Sequence, residues 1–191
     1  MPHTDAEQVI RSALKAQYHA ALEMLRLGVD ACPDDLWLSA SVRNAPWQIA
    51  YHTLYFTHLY LHRTSTEFRP WEGHQRDVQH EDGIAGPDDP SSGLPLVPQP
   101  YSREQVLAYL RFVDSLVDDM VDEMDVLSAS SGFDWYKVPK LEHQIVNIRH
   151  LQIGAAHLAA RLRAELDVGL GWVGSRPTQP PQPAASNAAR R

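Results

Sequence analysis

The stretch Leu141–Leu166, LEHQIVNIRHLQIGAAHLAARLRAEL, decides how the chain is read. It holds no proline and is long enough for a full helix. His143, His150 and His157 recur every seven residues, which is close to two α-helical turns, so all three share one stripe. Asn147, Gly154 and Arg161 fill the intermediate steps of that stripe. Leu141, Ile145, Ile148, Ala155, Ala159, Leu162 and Leu166 keep the same spacing on another side. A polar, histidine-bearing stripe beside an apolar one has two readings. It is a solvated face, which is the default, or it is the inward lining of a site.

Outward from this helix, the rest of the chain is also helical in pattern. Thr4 or Asp5 can cap a first helix at about 5–29, which carries apolar residues at steps of three and four and ends near Gly28 and Pro33. A short turn is expected at Asp34–Leu38. Pro46 sits where a missing N–H costs nothing, at the start of a second helix at about 46–64. That helix carries Trp47, Tyr51, Tyr55, Phe56 and Tyr60 on several sides. A capping-box pattern, Ser102 with Gln105, opens a third helix at about 102–128. Its Asp114, Asp118, Asp119, Asp122, Glu123 and Asp125 read as a solvated acidic face. The fourth helix, about 140–167, is the stretch quoted above. Between the second and third helices, Pro70, Pro87, Pro90, Pro95, Pro98 and Pro100 with four glycines forbid a long regular element. Within that link, Phe68–His74 is aromatic enough to pack, and 79–94 is expected to be mobile. The expected architecture is all-α: an antiparallel four-helix bundle over 1–168 with a long 65–101 connection, then a Pro/Gly/Ser/Ala-rich disordered tail at 169–191.

Composition excludes several classes of function. A net charge of −7 and a pI near 5.7 argue against a nucleic-acid surface. One cysteine, Cys32, allows neither an intrachain disulfide nor a Cys-rich metal site. The N-terminus lacks the pattern of a signal peptide, and no run of residues is apolar enough to span a bilayer. Cytoplasmic location, with no membrane partner, is therefore expected. No G-x-S-x-G, phosphate-binding loop or dinucleotide fingerprint is present.

The residues that could do chemistry are histidines. His52 lies mid-helix among aromatics. His58 and His62 are one turn apart, but His62–Arg63 reads as a solvated helix end. On the fourth helix, a chelating H-x3-H pair would need a histidine one turn after His150, and that position is Gly154. His157 is two turns away, too far to meet the same ion without distortion. A mid-helix glycine costs about 1 kcal/mol relative to alanine, so Gly154 implies a benefit: space for a ligand, or close helix packing.

On PWQIAYHTLYFTHLYL and NIRHLQIGAAHLAARL, the chain resembles the DinB-like superfamily of bacterial four-helix proteins, which includes metal-dependent thiol S-transferases. The resemblance runs from about Asp5 to Leu166 and is most specific in the second helix. It implies an antiparallel bundle with a long connection after the second helix. It also implies a metal site with one histidine from the second helix and two from the fourth. His52 matches the first of these ligands and His150 the second. The third falls on Gly154, with His157 a weak substitute and His143 or His74 the other options. A divalent ion, Zn²⁺ or Ni²⁺, is the implied cofactor, with Tyr51, Tyr55 and Arg149 as pocket residues and a thiol or other small molecule as ligand. Two functions follow. One is a binding bundle with a degenerate site that takes a small ligand or, through the aromatic second helix, forms a homodimer. The other is a metal-dependent thiol transferase.

Overall fold

The structure, a computed structural model, describes residues 5–39, 44–75, 78–79 and 99–176. These form five helices and no strand: α1 (Asp5–Ala31), α2 (Asp34–Trp37), α3 (Pro46–Leu61), α4 (Arg103–Glu123) and α5 (Lys140–Leu166). The all-α class is as expected, and the short turn at Asp34 is a one-turn helix. Local chemistry sets the ends. Pro46 opens α3, and the Gln48 side chain accepts the Ala45 N–H at 2.7 Å. Ser102 and Gln105 exchange the two bonds of a capping box at the start of α4. At the end of α5, Asp167 takes a left-handed conformation and returns its N–H to the Arg163 carbonyl.

Helix α1 packs against α4 and α5, and α3 packs against the same two. Side-chain pairings give the directions. Lys140–Arg63, Gln144–Tyr60, Asn147–Thr57 and Arg161–Asn44 run down α3 as they run up α5, so these two helices are opposed. Arg11 and Lys15 reach Asp122 while His19 reaches Asp114 and Asp118, so α1 and α4 are opposed too. Tyr18 meets Gln144 and Gly28 meets Leu158, so α1 and α5 run the same way. Tyr51 stacks on Tyr101, and His58 meets Tyr109 and Phe112, so α3 and α4 also run together. The connection between α3 and α4 must therefore return along the length of α3.

The two faces of α5 are not divided as the apolar spacing implies. His143, Gln144 and Asn147 are fully buried, Gly154 and Arg161 are buried, and Ile145 and Ile153 are about half exposed. Except at His157 the polar stripe faces inward, and Gln144 and Asn147 beside it enter a network that joins three helices. Tyr18 Oη donates to Gln144 Oε1 at 2.7 Å and accepts from Asn147 Nδ2 at 2.9 Å. Gln144 and Asn147 donate onward to the Tyr60 and Thr57 carbonyls of α3. Burial pushes the Tyr18 hydroxyl well above its usual range and keeps it a donor. Removing one member strands its partners in a dry core. Tyr18→Phe should cost about 1–3 kcal/mol, read as a lower urea midpoint at unchanged slope; an unchanged midpoint would show that the network contributes nothing.

The acidic face of α4 is only partly solvated. His19 bridges Asp114 at 2.7 Å and Asp118 at 3.1 Å, and Asp122 pairs with Lys15. Much of the aromatic content of α3 is spent inside the chain. Trp47, Tyr51 and Tyr60 are buried, and Trp71 stacks on Tyr109 at 4.9 Å from the α3–α4 link. Tyr55 and Phe56 are half-buried. Past the expected domain end at 168, residues 169–176 are folded back onto α1, with Leu170 and Val173 against the core. The rest of the expected tail, and 80–94 of the expected mobile segment, lie outside the described residues.

Candidate functional site

His52 and His150 meet. Their Nε2 atoms are 3.2 Å apart, one carried by α3 and the other by α5. The Nδ1 of His52 lies 2.7 Å from the Gln79 carbonyl, and a carbonyl only accepts, so Nδ1 carries the proton. In the neutral ring, His52 Nε2 is then a bare acceptor, and the hydrogen between the rings belongs to His150 Nε2. Phe56 flanks both rings, at 4.8 Å from His52 and 5.9 Å from His150. Burial, and secondly the neighbouring His52, push the His150 imidazole down to about 4, so it is neutral near pH 7.

This arrangement supplies two of the features a metal site needs. Two nitrogens at the usual zinc distance on a tetrahedral ion lie about 3.3 Å apart, close to the spacing found. A carbonyl holding the far N–H of a ligand histidine is the ordinary supporting contact. Among the described residues, no third donor joins the pair. A Cβ on Gly154 would overlap Thr53 Oγ1 and sit 2.6 Å from its Cγ2. Thr53 is buried, and its hydroxyl is committed to the Ile49 carbonyl at 2.6 Å. The glycine is thus closed by contact with α3, the packing alternative rather than the ligand-space alternative. His157 is exposed on α5. His143 sits in a separate aromatic cage of Tyr60, Phe133 and Tyr136, with neither ring nitrogen hydrogen-bonded. His74 lies against Tyr51, 2.7 Å from its hydroxyl, and beside Tyr55. Among the described residues no group of three or more His, Cys, Asp or Glu side chains could hold an ion. A resident three-histidine metal centre does not fit these residues.

Tyr55 lies between Phe56, Phe68 and His74 and so adjoins the histidine pair through Phe56. Arg149 is elsewhere. It edges an apolar groove between α1 and α5 whose lining includes neither histidine. His58 and His62 are both buried rather than at a solvated end. His58 Nδ1 faces the Tyr109 hydroxyl, and His62 Nδ1 donates to the His58 carbonyl. Cys32 is buried, and burial pushes its thiol up to about 11, which leaves it protonated and unreactive.

Gln79 and Thr53 are the site residues the sequence did not reveal. Gln79 falls in a stretch with no periodicity. Thr53 follows His52 directly, but its importance depends on which α5 residue lies opposite, and only the register of α3 on α5 supplies that. No protein-family model, curated protein or solved structure matches this chain. Among the described residues, no helix is long and apolar enough to cross a membrane.

Proposed function

We propose that this chain is a DinB-like antiparallel four-helix bundle, two helices running each way, that has kept the histidine pair of a metal site with a glycine, Gly154, at the third ligand position. Its role is to bind rather than to catalyse. The ligand is a small molecule taken up beside the histidine pair and the aromatic cluster of Tyr51, Tyr55, Phe56 and His74. The observation that carries this reading is the join of His52 and His150 at 3.2 Å, next to a third position occupied by the Gly154–Thr53 contact. The pair can offer one acceptor nitrogen or, on rotation, an N–H donor, which suits a small polar group held against aromatic walls. Self-association, the other role expected of such a bundle, has its apolar surface in the α1–α5 groove and not on α3.

The thiol-transferase reading is the alternative, favoured by the nitrogen spacing and by the Gln79 clamp on His52. There, His52 and His150 would hold two positions of a divalent ion, and the ion would supply a stabilised thiolate. Metal analysis of the purified protein separates the two readings. The binding reading predicts far less than one equivalent of Zn²⁺ or Ni²⁺, and no change in thermal stability with chelator. Near-stoichiometric metal that is lost in His52→Ala would establish the transferase reading instead.

A further inference from the structure

The link from α4 to α5 brings a second set of chemical groups together, apart from the His52–His150 pair. Phe133 and Tyr136 of the link close with Tyr60 of α3 on the ring of His143, at 4.9, 4.9 and 4.8 Å between centroids. His143 is fully buried, and neither ring nitrogen has a hydrogen bond. A buried imidazole in that state costs stability, and the fold draws no bond from it.

Lys140 stands almost one turn before His143 on the same side of α5 and is also buried. Its Nζ donates to the Arg63 carbonyl at 3.0 Å and lies 5.3 Å from the centre of the Phe133 ring. Burial pushes this amine down to about 8, against the opposing pull of Glu67, which is itself paired with Arg63. About a tenth of it is then an unprotonated nucleophile at pH 7. Burial, and secondly the Lys140 charge, push His143 down to about 4, so its ring is neutral there.

Against these two groups lies a polar pocket of about 370 Å³, whose lining includes Ser130, Gly132, Phe133, Asp134, Tyr136 and Lys137. Phe133 and Tyr136 are shared, since each lines the pocket and also touches His143. Gly132 is shared as well: a Cβ there would stand 3.5 Å from Lys140 Nζ. One layer of residues separates the pocket from a neutral imidazole and a lysine amine. A desolvated lysine beside an acid–base group, next to a pocket, is the equipment of carbonyl capture.

We infer that Lys140 and His143 form a carbonyl-binding site, in which the lysine amine takes a small aldehyde from this pocket as an imine and the imidazole carries the proton. The aldehyde reaches them when the half-buried Tyr136 turns outward. Lys140 Nζ adds its lone pair to the carbonyl carbon and passes one proton, through His143, to the oxygen. That oxygen then leaves as water with the second amine proton, and the C=N bond closes. Amine and aldehyde become imine and water, with no oxidant or reductant.

Propanal with cyanoborohydride, which fixes an imine as a secondary amine, tests this on the full chain near pH 7. The chain has three lysines, Lys15, Lys137 and Lys140, and peptide mapping reads each one. Lys140 should be alkylated roughly tenfold faster than the exposed Lys137. Its rate should saturate as propanal is raised, while the rates at Lys15 and Lys137 rise in proportion. His143→Phe should slow Lys140 several-fold and leave the other two lysines as they are in the parent. Lys137 reacting as fast as Lys140 overturns the inference, because Lys140 would then only tether the Arg63 carbonyl. A Lys140 rate that never saturates overturns it too. An unchanged Lys140 rate in His143→Phe overturns the role given to the imidazole.

Discussion

Gly154→Ala is expected to destabilise the fold by about 2–3 kcal/mol, although alanine gains about 1 kcal/mol over glycine in helix propensity. The added Cβ falls on Thr53, whose own hydroxyl is pinned to the helix it stands on. Either the Thr53 side chain gives up that bond, or α3 and α5 separate. Separation would stretch the bonds from Asn147 to Thr57 and from Gln144 to Tyr60 just along the seam. For a chain of this size the loss is a fall of roughly 5–10 °C in melting temperature. Thr53→Ala, which removes Oγ1 and Cγ2, should absorb part of the cost, so the two changes together should be less harmful than their sum. A neutral or stabilised Gly154→Ala would mean that α3 and α5 are not in contact here. Gly154→His carries the same clash with more bulk. It should therefore destabilise the protein and not complete a metal site, contrary to what ligand spacing along the helix alone would suggest.

Acid is the second large effect. Burial pushes His58 down to about 3, and His143 and His150 to about 4. An unfolded chain protonates these rings near 6.5. As the pH falls below that value the unfolded state binds protons that the folded state refuses, so stability is lost progressively down to about pH 4 for His143 and His150 and about pH 3 for His58. Three such rings contribute a few kcal/mol together, a large part of the roughly 5–15 kcal/mol that holds a domain folded. His19 has the opposite sign. Its hydrogen bond to Asp114, and then that to Asp118, raise its proton affinity. Its contribution is full below the unfolded value and is lost as pH rises through its raised folded value. The stability profile should therefore fall steeply on the acid side and more gently on the alkaline side. His143→Phe isolates one ring. Its nitrogens have no hydrogen-bond partner and its neighbours are aromatic, so the exchange removes a buried polar cost. The variant should gain more over the parent at pH 5 than at pH 8. An equal gain at both would mean that His143 does not titrate against folding.

The helices were legible because each carries its own start and stop chemistry: Pro46, the Ser102–Gln105 box, the glycines and prolines of the links. The meeting of His52 with His150 was also legible, through the resemblance that paired them. The inward turn of the polar stripe on α5 was not. Periodicity says only that His143, Asn147 and Gly154 share a side. Which side is buried depends on Tyr18 of α1 and the Tyr60 and Thr57 carbonyls of α3 being there to receive Gln144 and Asn147. Ile145 misleads for the same reason: it keeps the spacing of the core residues, yet it borders a groove and is half exposed. Gly154 shows the limit most sharply. Its cost in helix propensity signalled a gap with a purpose, and the purpose, contact with Thr53, lies in a register that the sequence of one helix does not contain.

The account rests on His52 and His150 being a hydrogen-bonded pair of imidazoles and not two arms of a metal centre. Ring ¹⁵N chemical shifts near pH 7, recorded before and after one equivalent of Zn²⁺, address this directly. The account predicts a proton on Nδ1 of His52 and on Nε2 of His150, with both rings unchanged by stoichiometric zinc. A concerted move of both Nε2 signals to metal-bound values at one equivalent would contradict it.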